Sequence, residues 1–372
     1  MPRLLVSLAS LSFAIITVAC SDATDPAVAR QLDASIATTS STIPFLPGAR
    51  VSVLTVLDGT IYAPTAFNDL GEVVGWGNDG SGTSDQSFQW TPHFGLRIRG
   101  SGVYSDSNAS AAVSVNNSAQ VLFIAAYGRT GIWDWQGNVR FLRPLSTYNP
   151  VCTPFQINVA GVSVGTCVAG GRSLATTWSK SGTPDALWIN GGSTPVQVNG
   201  QYPLEISDSN YIAGPSTART GFVFTPSKQL RVLPFPTISG FTVTNVIPLA
   251  VNNHGQAVGY SLGGNNNNCF QRAVAWLSPG QATDLGFCGQ ASGITDDATI
   301  FATSDDSTTG APTAVVRTKA GVLYRLPGLE GGAALNKEQS DVVAVNHAGK
   351  ALGGVITSTG VHHYVIWTLP AL

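Results

Sequence analysis

Charged side chains are scarce in this chain: Asp, Glu, Lys and Arg together make up 11% of its 372 residues. The 19 basic and 21 acidic residues leave a formal net charge of −2, and the basic ones do not cluster. A nucleic-acid surface needs clustered Lys and Arg, so that class of partner is excluded. Met1 is the only methionine. No apolar pattern at helical spacing runs beyond about three turns, which argues against a helical domain. No GxSxG, HExxH or Walker-type loop occurs, so serine-hydrolase, zinc-protease and phosphate-loop chemistries lack their signatures. Cysteine is sparse, at five, with no CxxC spacing and no histidine nearby in sequence, so no metal centre is expected. The pairs Asp296-Asp297 and Asp305-Asp306 lack the spacing of a calcium loop. No cofactor is expected.

What the chain does have is glycine (41) and proline (21), with much Val, Thr and Ser. That composition suits an all-β chain with many turns. Arg3 precedes an apolar run, Leu4 to Val18, which is too short for a membrane span and reads as a signal peptide. The run ends Thr17-Val18-Ala19-Cys20. Small residues before a single Cys resemble the lipobox of bacterial lipoproteins, with Thr17 where Leu is usual. The resemblance implies a signal peptide over 1–19 and lipidation of Cys20. Residues 20–47 then form a disordered tether rich in Ser, Thr, Ala and Asp. The expected location is the outer membrane, facing periplasm or cell surface, or else secretion. The lipid would be the sole contact with a membrane.

Four further cysteines, Cys152, Cys167, Cys269 and Cys288, suit an exported chain with two disulfides. Three pairings are open. The local one, Cys152–Cys167 and Cys269–Cys288, is favoured because each pair brackets neighbouring strands of one repeat. Closing such loops contributes about 3 kcal/mol each through chain entropy.

The strongest feature is self-similarity. The phrase apolar–Asn–polar–x–Gly–x–Val–x–Gly recurs as FNDLGEVVG (67–75), VNNSAQVLF (115–123), INVAGVSVG (157–165), ISDSNYIAG (206–214), VNNHGQAVG (251–259), ITDDATIFA (294–302) and VNHAGKALG (345–353). Its Asn position falls at 68, 116, 158, 207, 252, 295 and 346, a period of about 46. A short strand ending in an aromatic follows every phrase but the sixth, where it reads AVVR (314–317), as in SFQW (87–90), ATTW (175–178), AVAW (273–276) and YVIW (364–367). A third phrase ends near Leu, as in VRFL (139–142) and LRVL (230–233). Each unit thus offers four strands, a to d. The Asn-x-x-Gly segment is the a–b turn, where Asn and Gly tolerate left-handed backbone. Seven such meanders predict a seven-bladed β-propeller over 48–372, an all-β fold of four-stranded antiparallel blades. The last unit stops after strand c, and the orphan strand VSVLTVL (51–57) is placed to complete it, which removes an exposed edge.

The phrases AFNDLGEVVG, AVNNHGQAVGY with AVAW and TDLG, and AVNHAGKALGG with HHYVIW resemble the bacterial extracellular HAF-repeat family over residues 48–372. Units four and six depart from it, with Ser207 and Thr295 for Asn and with Phe224 and Arg317 for Trp. The resemblance implies a β-propeller and export, and it transfers no catalytic residues.

Short a–b and c–d turns share one face of a propeller, and the longer b–c and d–a loops share the other. A site is expected on the long-loop face, because loops on a rigid scaffold commonly carry function. The candidate contacts there are Trp76, Tyr127, Arg129, Arg172, Arg219, Tyr260, Arg272, His362 and His363. Four of them are arginines just ahead of strand c in successive units, an arrangement suited to carboxylate or sulfate groups of a glycan. His254 and His347 fall on short turns of the opposite face and read as polar turn residues. The function expected is a monomeric binding or interaction module for a glycan or protein. The alternative is a propeller polysaccharide lyase or hydrolase, which needs an acid–base pair on the long-loop face.

Overall fold

The computed structural model describes residues 32–33, 43–55, 63–77, 86–99, 110–125, 128–146, 151–189, 192, 194–200, 202–264, 269–305, 311–330 and 337–370. The expected signal peptide, Cys20 and Tyr127 lie outside these residues. No α-helix occurs among the described residues, and none is long and apolar enough to cross a membrane.

The chain opens with two short strands, β1 (Leu32–Asp33) and β2 (Arg50–Val53). Antiparallel meanders follow. The first is β3 (Ala63–Phe67), β4 (Val73–Gly77), β5 (Gln86–Thr91) and β6 (Gly95–Arg99). The second is β7 (Ser110–Val115), β8 (Val121–Ala125), β9 (Thr130–Trp133) and β10 (Val139–Phe141). The third is β11 (Cys152–Ile157), β12 (Ser163–Ala169), β13 (Arg172–Trp178) and β14 (Pro184–Ala186). The fourth is β15 (Glu205–Ile206), β16 (Ile212–Pro215), β17 (Gly221–Phe224) and β18 (Leu230–Leu233). Each of these is a separate four-stranded sheet.

The next seven strands form one sheet: β19 (Thr242–Val251), β20 (Ala257–Gly264), β21 (Gln271–Trp276), β22 (Thr283–Ile294), β23 (Ile300–Asp305), β24 (Pro312–Arg317) and β25 (Leu323–Arg325). Six sheets therefore stand where seven were expected. The cause is β22, which pairs with β21 through its first half and with β23 through its second, with no intervening loop. The last sheet orders β1-β2-β28-β27-β26, with β26 (Gln339–Val345), β27 (Lys350–Ile356) and β28 (His362–Thr368). Here the N-terminal β2 pairs antiparallel with β28, Arg50 opposite Thr368 and Val53 opposite Val365. The tether expected over 20–47 also needs correcting at its end. Leu46 is buried and its N–H donates to Arg325 O, because this stretch packs beside β25.

The turns explain why these sheets stand side by side. In each intact repeat, the Asn side chain does two jobs. Its Oδ1 accepts the N–H four residues on, as at Asn68 from Glu72 (3.0 Å) and Asn252 from Gln256 (3.0 Å). Its Nδ2 donates to the carbonyl of the same position in the next turn: Asn68 to Asn116 (2.9 Å), Asn116 to Asn158 (2.8 Å), Asn158 to Ser207 (3.2 Å) and Asn252 to Thr295 (2.9 Å). Asn346 then donates to Asn68 O at 3.1 Å, so the last turn meets the first and the sheets close into a β-propeller. Ser207 and Thr295 keep the local job, accepting from Tyr211 and Thr299 N–H at 3.1 Å each, but have no amide to reach onward.

A second stitch uses strand c. The Trp178, Trp276 and Trp367 rings are fully buried, and their Nε1–H groups donate to Arg143 O, Pro234 O and Pro327 O. Each acceptor follows the Leu that ends the preceding unit's d strand. A buried indole needs such a partner, and here it joins adjacent sheets. The glycine that ends the turn phrase answers to a β-bulge in strand a. At Gly259, a Cβ would lie 2.1 Å from Ile247 O beside the bulge at Pro248/Ala250. The disulfides are Cys152–Cys167, across β11 and β12, and Cys269–Cys288, which clips the start of β21 to β22.

Candidate functional site

On the long-loop face a cavity of about 530 Å³ opens between the third and fourth sheets. One wall is the β12–β13 turn, which presents Arg172 and Ser173. Another is the β16–β17 turn, with Ser216, Thr217 and Arg219. Between them lie Gln197, Asn199 and Tyr202, and Asn245 of β19 completes the lining. Backbone hydrogen bonds hold this frame: Val198 N–H to Ser173 O (3.0 Å) and Thr217 N–H to Gln197 O (3.3 Å). No lining residue is acidic. Arg219 has a φ of 64°, a left-handed conformation that costs a non-glycine residue about 1 kcal/mol. Ala119, Asn210, Lys228 and Ala298 share that conformation, each in the fourth place of a five-residue turn like Ser216–Thr220.

Arg172 and Arg219 both line this cavity, and both are exposed. Tyr260 stands near this group: burial, and then the neighbouring Tyr202 phenol, push its pKa up to about 12. It lies within β20, not in a loop, because β20 runs on to Gly264. Arg272 needs correction as a ligand contact. Its Nη2 meets Asp284 Oδ2 at 2.6 Å and its Nε meets Oδ1 at 3.3 Å, so the guanidinium is spent on its own sheet. Trp76 and Arg129 lie on the first and second sheets, away from the cavity lining, with Trp76 paired between Ala63 and Ser87. Sequence reasoning missed Gln197, Asn199, Tyr202 and Asn245, since lone polar residues in long connections carry no pattern.

His362 and His363 lie on β28 of the last sheet. There Asp341, Gly354 and Tyr364 sit in register on three adjacent strands, with His362 two residues from Tyr364 on the same face. A Cβ on Gly354 would lie 2.8 Å from both Asp341 Oδ1 and His362 Nε2, so the absent side chain lets carboxylate and imidazole converge. The His362 and Tyr364 rings meet edge to face at 4.5 Å. Burial raises the Asp341 pKa, against the Gly354 N–H bond and the charge of His362.

The short-turn face is different. His347 Nδ1 lies 2.9 Å from Asp208 Oδ2 and 4.0 Å from Asp69 Oδ2, which joins the last turn to the fourth and the first. The bond to Asp208 raises the His347 pKa against burial. Burial works to raise Asp208, but His347 and the Val159 N–H bring it below the usual carboxylate range. Asp69 also accepts from Asn117 Nδ2 and Ala348 N–H, and Asp296 from Asn253. Among the described residues no group of three or more His, Cys, Asp or Glu is placed to hold a metal ion.

No protein-family model matches this sequence, and no curated protein matches it. Solved structures share its fold. A virginiamycin B lyase from Staphylococcus aureus superposes with a TM-score of 0.52 at 12% identity, over 87% of this chain and 99% of its own. A streptogramin B lyase gives 0.50 at 12%, over 87% and 97%. YCF48 bound to a D1 peptide gives 0.50 at 11%, over 89% and 100%. At these identities the likeness is one of fold.

Proposed function

We propose that this chain is an exported, lipid-anchored propeller of the HAF-repeat type that binds a ligand at its long-loop face. The observation that carries this reading is the framed polar cavity with Arg172 and Arg219, on the face opposite the turn ring. The two disulfides suit an oxidising compartment. In this reading the seven-stranded sheet is two blades sharing β22, which makes seven blades, and β2 supplies the fourth strand of the last, beside β28. Replacing Cys20 with Ala is expected to move the protein from the membrane fraction to the soluble one. A glycan and protein array probed with residues 21–372 tests the binding role. The expected result is a ligand whose binding is lost on filling the cavity with Ser216→Trp. No binding together with measurable turnover of a polysaccharide would overturn it.

A second reading is an enzyme, and Asp341, His362 and Tyr364 favour it. A carboxylate, an imidazole and a phenol on one sheet face are the groups that proton transfer to or from a sugar requires. That reading expects His362→Ala to abolish turnover of a polysaccharide while leaving binding intact.

A further inference from the structure

We infer that the ligand class of this cavity is an acidic saccharide, whose carboxylate is held by Arg172 and Arg219 and whose hydroxyl groups are read by the polar lining. This rests on the binding role proposed above and specifies its chemistry. Charge is the first argument. In a chain where only 11% of residues are charged, two arginines from successive sheets line one cavity that has no acidic lining residue. Neither makes an ion pair among the described residues. Arg272, at the equivalent place one unit on, shows the contrast, since Asp284 neutralises it. Planar guanidinium forks match a carboxylate in two parallel hydrogen bonds.

The lining also argues against a peptide or lipid: Val198 and Pro215 are its only aliphatic side chains, so no apolar side chain or tail has a pocket. A volume of about 530 Å³ falls within the range of small-ligand sites.

The test is calorimetric titration of residues 21–372 with a galacturonate trimer, its methyl ester and a neutral trisaccharide. The expected result is binding of the free acid at least about tenfold tighter than the ester, with a similar loss in Arg172→Ala and in Arg219→Ala. Equal affinity for acid and ester, or unchanged affinity in both arginine variants, would overturn the proposal. If the neutral sugar binds and Ser216→Trp removes it, the binding role stands while the acidic class falls. If none of the three sugars binds, the acidic class falls as well, and the array decides the binding role separately.

Discussion

The two faces of this propeller are built from the same repeat and have opposite characters. On the short-turn face most side chains of the turns are committed, although Ser163 Oγ and Arg231 Nε beside them are buried without a partner. Asn side chains satisfy their own turn and the next, and His347, Asp69, Asp208 and Asp296 bridge between turns. On the long-loop face a cavity holds two exposed arginines that make no ion pair among the described residues. An exposed guanidinium with no ion pair is free to meet a charged ligand. The comparison teaches that the repeat specifies the scaffold from one face and leaves the other free to vary.

That contrast can be broken by substitution. Asn252→Ala removes a local acceptor and the donor to Thr295 O in a buried site, and is expected to cost about 2–3 kcal/mol in chemical denaturation. Arg172→Ala, exposed on the other face, is expected to stay within about 0.5 kcal/mol. Equal losses would mean that the faces do not differ as described. A gain is expected at a worn unit: Ser207→Asn restores an amide able to reach the Asn252 carbonyl, worth about 1 kcal/mol in the same assay. No gain would show that the bond from Ser209 N–H to Asn253 Oδ1 (2.8 Å) already does that job.

The smallest effect is the pH dependence of the His347–Asp208 pair. The folded pKa of His347 is raised, so its stabilisation is full below its unfolded pKa and is lost as pH rises through the folded one. The folded pKa of Asp208 is lowered, so its part is present above its unfolded pKa and is lost as pH falls through the folded one. The wild type minus His347→Ala stability difference should therefore peak between those limits and decline toward alkaline pH. With His347 42% exposed, solvent screening keeps the peak below about 1 kcal/mol. Stability curves for both proteins between pH 4 and 9 check this; a flat difference would mean that the pair contributes nothing.

Much of the scaffold was legible in the sequence for one reason: turns are local. Asn-x-x-Gly sets its own backbone and its own hydrogen bonds, so the turn positions and the strand order could be read directly. The local cysteine pairing was legible because each pair flanks adjacent strands. What sequence hid was non-local. Nothing in TDLGFCGQASGI says that β22 runs unbroken between two meanders. Nothing marks Arg272 as taken, because its partner Asp284 comes from the neighbouring strand. Asn245 and Gln197 join one cavity through packing of successive sheets, and no spacing records that. His347 sits on the face already assigned to turns, yet its partner Asp208 is three repeats back.

The pairing of β2 with β28 has a kinetic side. Val53 is among the first residues of the domain to be synthesised, and its partner Val365 is among the last. The ladder that completes the final sheet cannot form until almost the whole chain has been delivered. Such long-range contacts are slow to close, because the loop entropy must be met before they give anything back. Until then β28 is an open edge able to pair with another chain, so the slowest and most aggregation-exposed step in folding should be the docking of the protein's own beginning onto its end.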